Sequence, residues 1–270
     1  MNESPAGRLF DVQGRRALVT GAASGIGQAF AEVLADSGAR VTLADIDGER
    51  LAQVTGELES RGGDVRSVVA DISDPAAVDA AFAGAVAAHG GLDIVFANAG
   101  IAAVPGWGVP GGQELHTVAD EVYERVLAIN QHGVLYTMRA AAAVMKPQRS
   151  GRIVVTASTA GLASEPLVCY GYAASKAAVI GLARHAALEL APHGVNVNVI
   201  APGPFKTRIA GGVDAEGERV WASLVPLGRM GDTEELKGLA LLLASPAGSF
   251  ITGAVIPIDG GQLLGAPRDW

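Results

Sequence analysis

The 270-residue sequence predicts an α/β fold: a single doubly wound domain with a central parallel sheet of about seven strands flanked by helices. Three observations carry this. Strand-like and helix-like segments alternate along the chain. Several strand candidates, such as Leu92–Ala97, are nearly continuous apolar runs, which suits strands covered on both faces. The first strand candidate also runs into a glycine-rich turn that opens a helix.

The elements follow in order. Arg16–Thr20 reads as a short buried strand. It leads into Gly21-Ala-Ala-Ser-Gly25-Ile-Gly27 and an apolar-periodic helix around Ala29–Ala35. Val41–Asp45 is the second strand, followed by a polar helix near Glu49–Ser60. Val65–Val69 is a strand, Pro75–Ala88 a helix and Leu92–Ala97 a buried strand. A long helix is expected over about 118–145. The strand Arg152–Thr156, the helix Tyr172–Leu190 and the strand Val195–Ile200 come next. A helix at Glu234–Leu243 and a strand at Ala254–Ile258 close the pattern. No internal repeat or interdomain linker interrupts it, so residues 1–270 are expected to form one dinucleotide-binding and catalytic domain. Two Gly/Pro-rich stretches, 101–113 and 203–225, read as substrate loops.

The turn after the first strand has the context of a Rossmann-like dinucleotide site. Gly21 permits a tight turn, Gly25 lets the backbone approach a pyrophosphate, and Gly27 permits close helix–strand packing. The N–H groups and positive dipole end of the following helix would face the phosphates. Asp45 ends the second strand, where a carboxylate accepts hydrogen bonds from ribose hydroxyls and repels a 2′-phosphate. Ala22, Ala23 and Ser24 supply no cation for such a phosphate, and Ile46 follows Asp45, so NAD is favoured over NADP. Further along, Tyr172 and Lys176 stand one helical turn apart. An ammonium beside a phenol is expected to lower the tyrosine pKa from about 10 and make it an acid/base near neutral pH. Alone, a Tyr–Lys pair at this spacing is common on helix surfaces.

Together these residues resemble the short-chain dehydrogenase/reductase family, of the classical type, over roughly Leu9–Leu264. Thr20-Gly21-Ala-Ala-Ser24-Gly25-Ile26-Gly27 matches the family's cofactor turn. Asp71-Ile72 matches its adenine-side acidic position, and Asn98-Ala99-Gly100 matches its Asn-Ala-Gly. Asn130, Ser158, Tyr172 and Lys176 match its catalytic tetrad, and Pro202-Gly203, Phe205 and Thr207 fall in its nicotinamide segment. The resemblance implies that Tyr172 takes the hydroxyl proton, while Lys176 holds the nicotinamide ribose and tunes Tyr172. It implies that Ser158 orients the substrate oxygen and that Asn130 fixes a water linking Lys176 to solvent. The Ser-Thr-Ala-Gly string favours Ser158 over Thr159. Tyr170 reads as a pocket or packing residue, and Gln131-His132 departs from the usual pair at that place. Ala97 replaces a usual Asn, and Phe205 stands where an aliphatic is common. Trp107, in an uncharged loop, fits either a ring-bearing neutral substrate or surface packing.

Composition narrows the classes. Hydrophobic residues make up 49% and charged residues 18%, enough for a large core without disulfides. The single Cys169 fits a reducing compartment and reads as a small apolar residue rather than a reactive thiol. His89, His116, His132, His185 and His193 have no zinc-like spacing, so no metal is expected. A net charge of −8 disfavours nucleic acid and anionic membranes. No apolar leader or membrane span is read, and a cytoplasmic enzyme is expected. The leading reading is an NAD-dependent oxidoreductase acting on a secondary alcohol: a sugar, polyol or cyclic alcohol. An NADPH-dependent ketoreductase, such as an acyl-carrier reductase, is the alternative; Asp45 and the acidic chain oppose it. A non-catalytic dinucleotide sensor would have no need of the tetrad. The resemblance, with Ala-rich apolar faces on the long helices, implies a homotetramer.

Overall fold

The computed structural model describes residues 4–102, 114–207 and 214–265. Its strands are β1 (Arg16–Thr20), β2 (Arg40–Asp45), β3 (Asp64–Val69), β4 (Ile94–Ala97), β5 (Gly151–Thr156), β6 (Val195–Pro202) and β7 (Val255–Ile258). They form one seven-stranded sheet in the order β3-β2-β1-β4-β5-β6-β7, and every pairing in it is parallel. The order reverses at β1, which pairs with β2 on one side and with β4 on the other. At such a switch point the connections leave in opposite directions and open a crevice beyond the carboxyl ends of the strands.

Each central strand is buried on both faces, which explains its unbroken apolar run. Side chains alternate across a strand. Ala17, Val19, Ile94 and Phe96 therefore join one core, while Leu18, Val95 and Ala97 join the other. The first core is covered by α2 (Gly25–Asp36), α3 (Gly48–Ser60) and α9 (Glu234–Ala244). Phe30 of α2 meets Phe96 with ring centroids 4.7 Å apart. The burial of one such side chain contributes about 1.5–3 kcal/mol. The second core is covered by α4 (Pro75–His89), α6 (Val134–Gln148) and α7 (Tyr170–Leu190). Local chemistry sets the boundaries of α4. The Asp74 side chain accepts from the Ala76 N–H, Pro75 occupies the first turn, and Gly90 ends the helix in the left-handed region at φ 76°. At the amino end of the sheet, Asp93 accepts from Arg16 Nε at 2.8 Å and from Nη2 at 2.7 Å, which locks β1 to the start of β4.

Three expectations need correction. The long helix over about 118–145 is not uniform: α5 (Asp120–Leu127) passes through a π turn, Ala128–Gly133, into α6. Hydrophobic periodicity cannot register one wide turn within a continuing helix. The stretch 203–225 is not all loop, because α8 (Ala215–Ser223) lies within it. Asp214 caps this helix by accepting from the Gly217 N–H, and Trp221 is buried; a nine-residue helix with an internal glycine leaves a weak pattern. A short helix, α1 (Pro5–Leu9), was not expected at all. Most of the 101–113 segment, with Trp107, lies outside the described residues, as does 266–270 at the carboxyl end.

Candidate active site

The turn after β1 is built from glycines that nothing else can replace. Gly21 has φ +70°, and a Cβ there would lie 2.7 Å from the Ala99 Cα. Gly25, the first residue of α2, has φ +55°. A Cβ on Gly27 would lie 2.0 Å from the Gly21 carbonyl oxygen, so helix and turn touch backbone to backbone. Ser24 occupies the N-cap in extended conformation without closing a side-chain hydrogen bond onto the helix. Ser24, Gly25, Ile26 and Gly27 thus present the first turn of α2 to a cavity of about 1160 Å³. This cradle suits the pyrophosphate of a dinucleotide.

The cavity runs along the carboxyl ends of the strands. Asp45, at the end of β2, lines it beside Ile46. Its carboxylate accepts from the Ala23 N–H at 3.0 Å and from the Asp47 N–H at 3.0 Å, which fixes its orientation. Asp71 and Ile72 line the same wall; Asp71 Oδ1 accepts from the Ser73 N–H and hydroxyl. Asn98 and Gly100 follow β4 at the switch point. Asn98 Nδ2 donates to the Thr20 carbonyl, and its Oδ1 accepts from the Thr156 hydroxyl, so one side chain ties the ends of β1, β4 and β5. Pro202, Phe205 and Thr207 line the far side beyond β6. Phe205 is buried against Gly231, whose added Cβ would strike its ring at 2.5 Å.

Ser158, Tyr172 and Lys176 meet at the buried end of this cavity. Ser158 follows β5, and its hydroxyl shares a hydrogen bond with the Tyr172 phenol. Thr159 instead turns away, donating towards the Pro202 carbonyl and Gln262 Oε1, which favours Ser158 as the substrate-facing residue. Lys176 Nζ donates to the Thr156 carbonyl at 3.0 Å and lies 5.5 Å from the Tyr172 ring centroid. The expected lowering of the tyrosine pKa is not what these groups produce. Burial, the largest influence, pushes Tyr172 up to about 12, the Ser158 bond opposes it, and Glu165 and Cys169 push the same way. Burial also pushes Lys176 down to about 8. Both charged forms lose water here, and desolvation outweighs what a neighbour at this distance returns.

Asn130 does not line the cavity. It is fully buried in the π turn, where its Oδ1 accepts from the Ile101 N–H at 2.8 Å and its Nδ2 donates to the Ile101 carbonyl at 2.7 Å. This amide clamps the backbone just past Gly100. A Cβ on Gly100 would lie 3.2 Å from Asn130 Oδ1 and 3.5 Å from Lys176 Nζ, so both residues abut that glycine. Cys169 is buried and N-caps α7, its Sγ accepting from the Tyr172 N–H. Tyr170 is 46% exposed and is not among the described residues that line the cavity. His132 is exposed in the π turn.

Sequence reasoning missed four residues. Thr156 anchors Lys176 through its backbone carbonyl, which no side-chain pattern reveals. Glu165 and Gln262 reach the catalytic end from segments far apart in the chain. Arg50, in the first turn of α3, donates from Nε to the Ala23 carbonyl at 3.3 Å and so brings a cation near the β1 turn. Its place directly after Asp47-Gly-Glu was the available signal. Among the described residues no cluster of three or more His, Cys, Asp or Glu side chains is placed to hold a metal ion, and no helix is long and apolar enough to cross a membrane.

Comparison with known proteins places this arrangement. A family model described as enoyl-(acyl carrier protein) reductase matches residues 21–262. The chain is 37% identical over 265 residues to sorbitol dehydrogenase of Cereibacter sphaeroides, covering 94% of this chain and 99% of that protein. It belongs to the short-chain dehydrogenase/reductase family. It is also 38% identical to cyclohexanol dehydrogenase of Rhodococcus sp. over 264 residues, 93% of this chain and 96% of that one. A short-chain dehydrogenase/reductase of Mycobacterium marinum superposes with a TM-score of 0.87 at 39% identity, covering 94% and 97% of the two chains. The protein is therefore an oxidoreductase of this family, whose members use a nicotinamide dinucleotide, and the seven-stranded parallel sheet is its Rossmann-like core.

Proposed function

We propose that this short-chain dehydrogenase/reductase oxidises a secondary alcohol, a sugar, polyol or cyclic alcohol, with NAD as hydride acceptor and Tyr172 as acid/base. The observation that carries the reading is the buried Ser158–Tyr172 hydrogen bond with Lys176 beside it, at the end of a cavity whose other end is a phosphate-binding turn. The names of the sorbitol and cyclohexanol dehydrogenases support the substrate class. NAD, when bound, supplies the hydride acceptor. Gly21, Ser24, Gly25, Ile26 and Gly27 would hold its pyrophosphate, Asp45 the adenosine ribose, and Asp71 and Ile72 the adenine side. Asn98, Gly100, Pro202, Phe205, Thr207 and Lys176 would surround the nicotinamide half.

Ser158 orients the substrate hydroxyl by hydrogen bonding, and the phenolate oxygen of Tyr172 takes its proton. In reduction the same phenol returns the proton to the forming alkoxide. Lys176, one turn along α7, supplies the positive charge that makes the phenolate accessible. Asn130 supports the relay by holding the Ile101 peptide beside Gly100, with a water joining Lys176 to solvent. Asp45 favours NAD because a 2′-phosphate would meet its carboxylate. An NADPH-dependent ketoreductase is the second reading, favoured by Arg50 near the β1 turn. Against it, Arg50 is already engaged with the Ala23 carbonyl and Gln53 Oε1.

We read the chain as one catalytic domain of a cytoplasmic homotetramer. The outer faces of α6 and α7 carry the exposed Leu135 and Leu188, apolar surface suited to contact between subunits. The deciding experiment follows reduced cofactor by absorbance with NAD and NADP against sugars, polyols, cyclic alcohols and aryl alcohols. Turnover of a secondary alcohol with NAD supports the reading; turnover only of ketones with NADPH replaces it by the second. Light scattering reports the assembly, and a monomer at micromolar concentration would end the tetramer proposal.

A further inference from the structure

Gln262 opens the short turn Gln262–Leu264 beyond β7, one layer behind the catalytic end of the cavity. Its side-chain amide meets three segments there. Oε1 accepts from the Thr159 hydroxyl at 3.1 Å. The same oxygen would lie 2.9 Å from a Cβ on Gly203, so it seats directly against the backbone that follows β6. The amide also hydrogen-bonds the Glu165 carboxyl, as Thr159 does, and both bonds draw the Glu165 pKa down against burial and Asp259. With Oε1 turned to Thr159, the group facing Glu165 is the Nε2 donor. Glu165 and Gly203 line the cavity, and Thr159 follows Ser158 in the chain. Ser158 caps the single turn Thr159–Gly161, its Oγ accepting from the Ala160 N–H at 3.2 Å. The seat of Thr159 therefore sets where the Ser158 hydroxyl stands. Asp259 holds the Gln262 segment in turn, accepting from the Gly261 and Leu263 N–H groups at 2.9 Å each.

We propose that Gln262 is a positioning residue for the proton-transfer end of the site: its amide bridges Thr159 and Glu165 and so holds the Ser158 hydroxyl in place beside the Tyr172 phenol. The proposal rests on the alcohol-dehydrogenase reading above. An amide suits the place because it accepts and donates at once without carrying charge. A methionine of similar length offers neither bond. A carboxylate offers no donor and adds a second negative charge beside Glu165. The charged and titratable groups around the bridge are Glu165, Asp259, Tyr172, Cys169 and Lys176, and Glu165 is in contact with the amide. Displacing a reacting group by about 1 Å costs about 10²-fold in rate, even when the mutated residue lies away from the chemistry.

The test follows reduction, with NADH, of the ketone that corresponds to the best alcohol in the screen above. Wild type, Gln262→Met and Gln262→Glu are compared from about pH 9 to about pH 5, with thermal melting as a check on folding. Gln262→Met should lower kcat by about 10–10²-fold at every pH, while NADH affinity, followed by fluorescence titration, stays within about threefold. Gln262→Glu should match that loss at the alkaline end. As pH falls, the introduced carboxyl and Glu165 come to share a proton. One oxygen of the new carboxyl then donates to Glu165, the other accepts from Thr159, and the bridge re-forms. The ratio of variant to wild-type kcat should therefore climb towards one in acid, and Gln262→Glu decides alone if the methionine variant does not fold. A ratio constant over the whole range, or near-normal kcat in both variants, overturns the assignment and leaves the dehydrogenase reading intact. A loss that only tracks a lower melting temperature overturns it too. Wild type that turns over no alcohol or ketone with either cofactor removes both.

Discussion

Replacing Tyr172 by Phe deletes one oxygen atom from the buried end of the cavity and little else. The ring is only 8% exposed and stays in its cluster with Val126, Ala160 and Cys169, so the fold should survive. The lost hydrogen bond to Ser158 costs about 1 kcal/mol of stability. Catalysis loses far more. A positioned acid–base group contributes about 10²–10⁴-fold, or about 3–5 kcal/mol of transition-state stabilisation. The structure also indicates what the phenol needs. Burial holds it up at about 12, so few molecules carry phenolate at neutral pH. The Lys176 ammonium, 5.5 Å from the ring centroid, does not offset that burial. The assay is reduced-cofactor absorbance on the best alcohol of the screen, with cofactor affinity followed by fluorescence titration. NAD affinity should stay within about threefold. A Tyr172→Phe enzyme with near-normal kcat would refute the assignment of the proton to this residue.

Oxidation should rise with pH, with an apparent midpoint below 12 that belongs to the Tyr172–Lys176 pair. In Lys176→Met, residual activity should show that midpoint displaced upward; an unchanged midpoint would remove lysine as the tuning charge. Asp45→Ala with Ile46→Arg should move the NAD/NADP ratio of kcat/KM towards NADP by about one to two decades, since the ribose acceptor is lost and a phosphate partner gained. A wild type that already prefers NADP would overturn the Asp45 argument. Asp93→Asn should lower stability near pH 7 by about 1–2 kcal/mol, read by denaturant melts. Burial alone would raise the Asp93 pKa, but its bonds to Arg16 hold it below the usual carboxylate range. Because the folded pKa is the depressed one, this stabilisation is present above about pH 4 and disappears as pH falls through the folded value. The difference between wild type and variant should therefore shrink in acid; a constant difference from pH 7 to pH 3 would contradict the linkage.

The sequence by itself determined the class of fold and the location of the chemistry. Strands such as Leu92–Ala97 are apolar at nearly every position because both faces of a parallel sheet are covered, and that pattern is local. The Gly21–Gly27 turn was legible because its glycines meet backbone at distances no side chain permits. The Tyr172–Lys176 spacing was legible because one helix carries both. The boundary of α8 and the π turn around Asn130 were not, since a short capped helix and one wide turn hardly disturb hydrophobic periodicity. Only the tertiary structure decided the electrostatics. Whether Lys176 or burial governs the phenol depends on how much water the folded chain removes, and that is not encoded in any one segment. Likewise Glu165, Gln262 and the Thr156 carbonyl act at the site from positions the linear chain keeps apart. Their meeting is a consequence of the parallel sheet, which brings the carboxyl ends of distant strands to one edge.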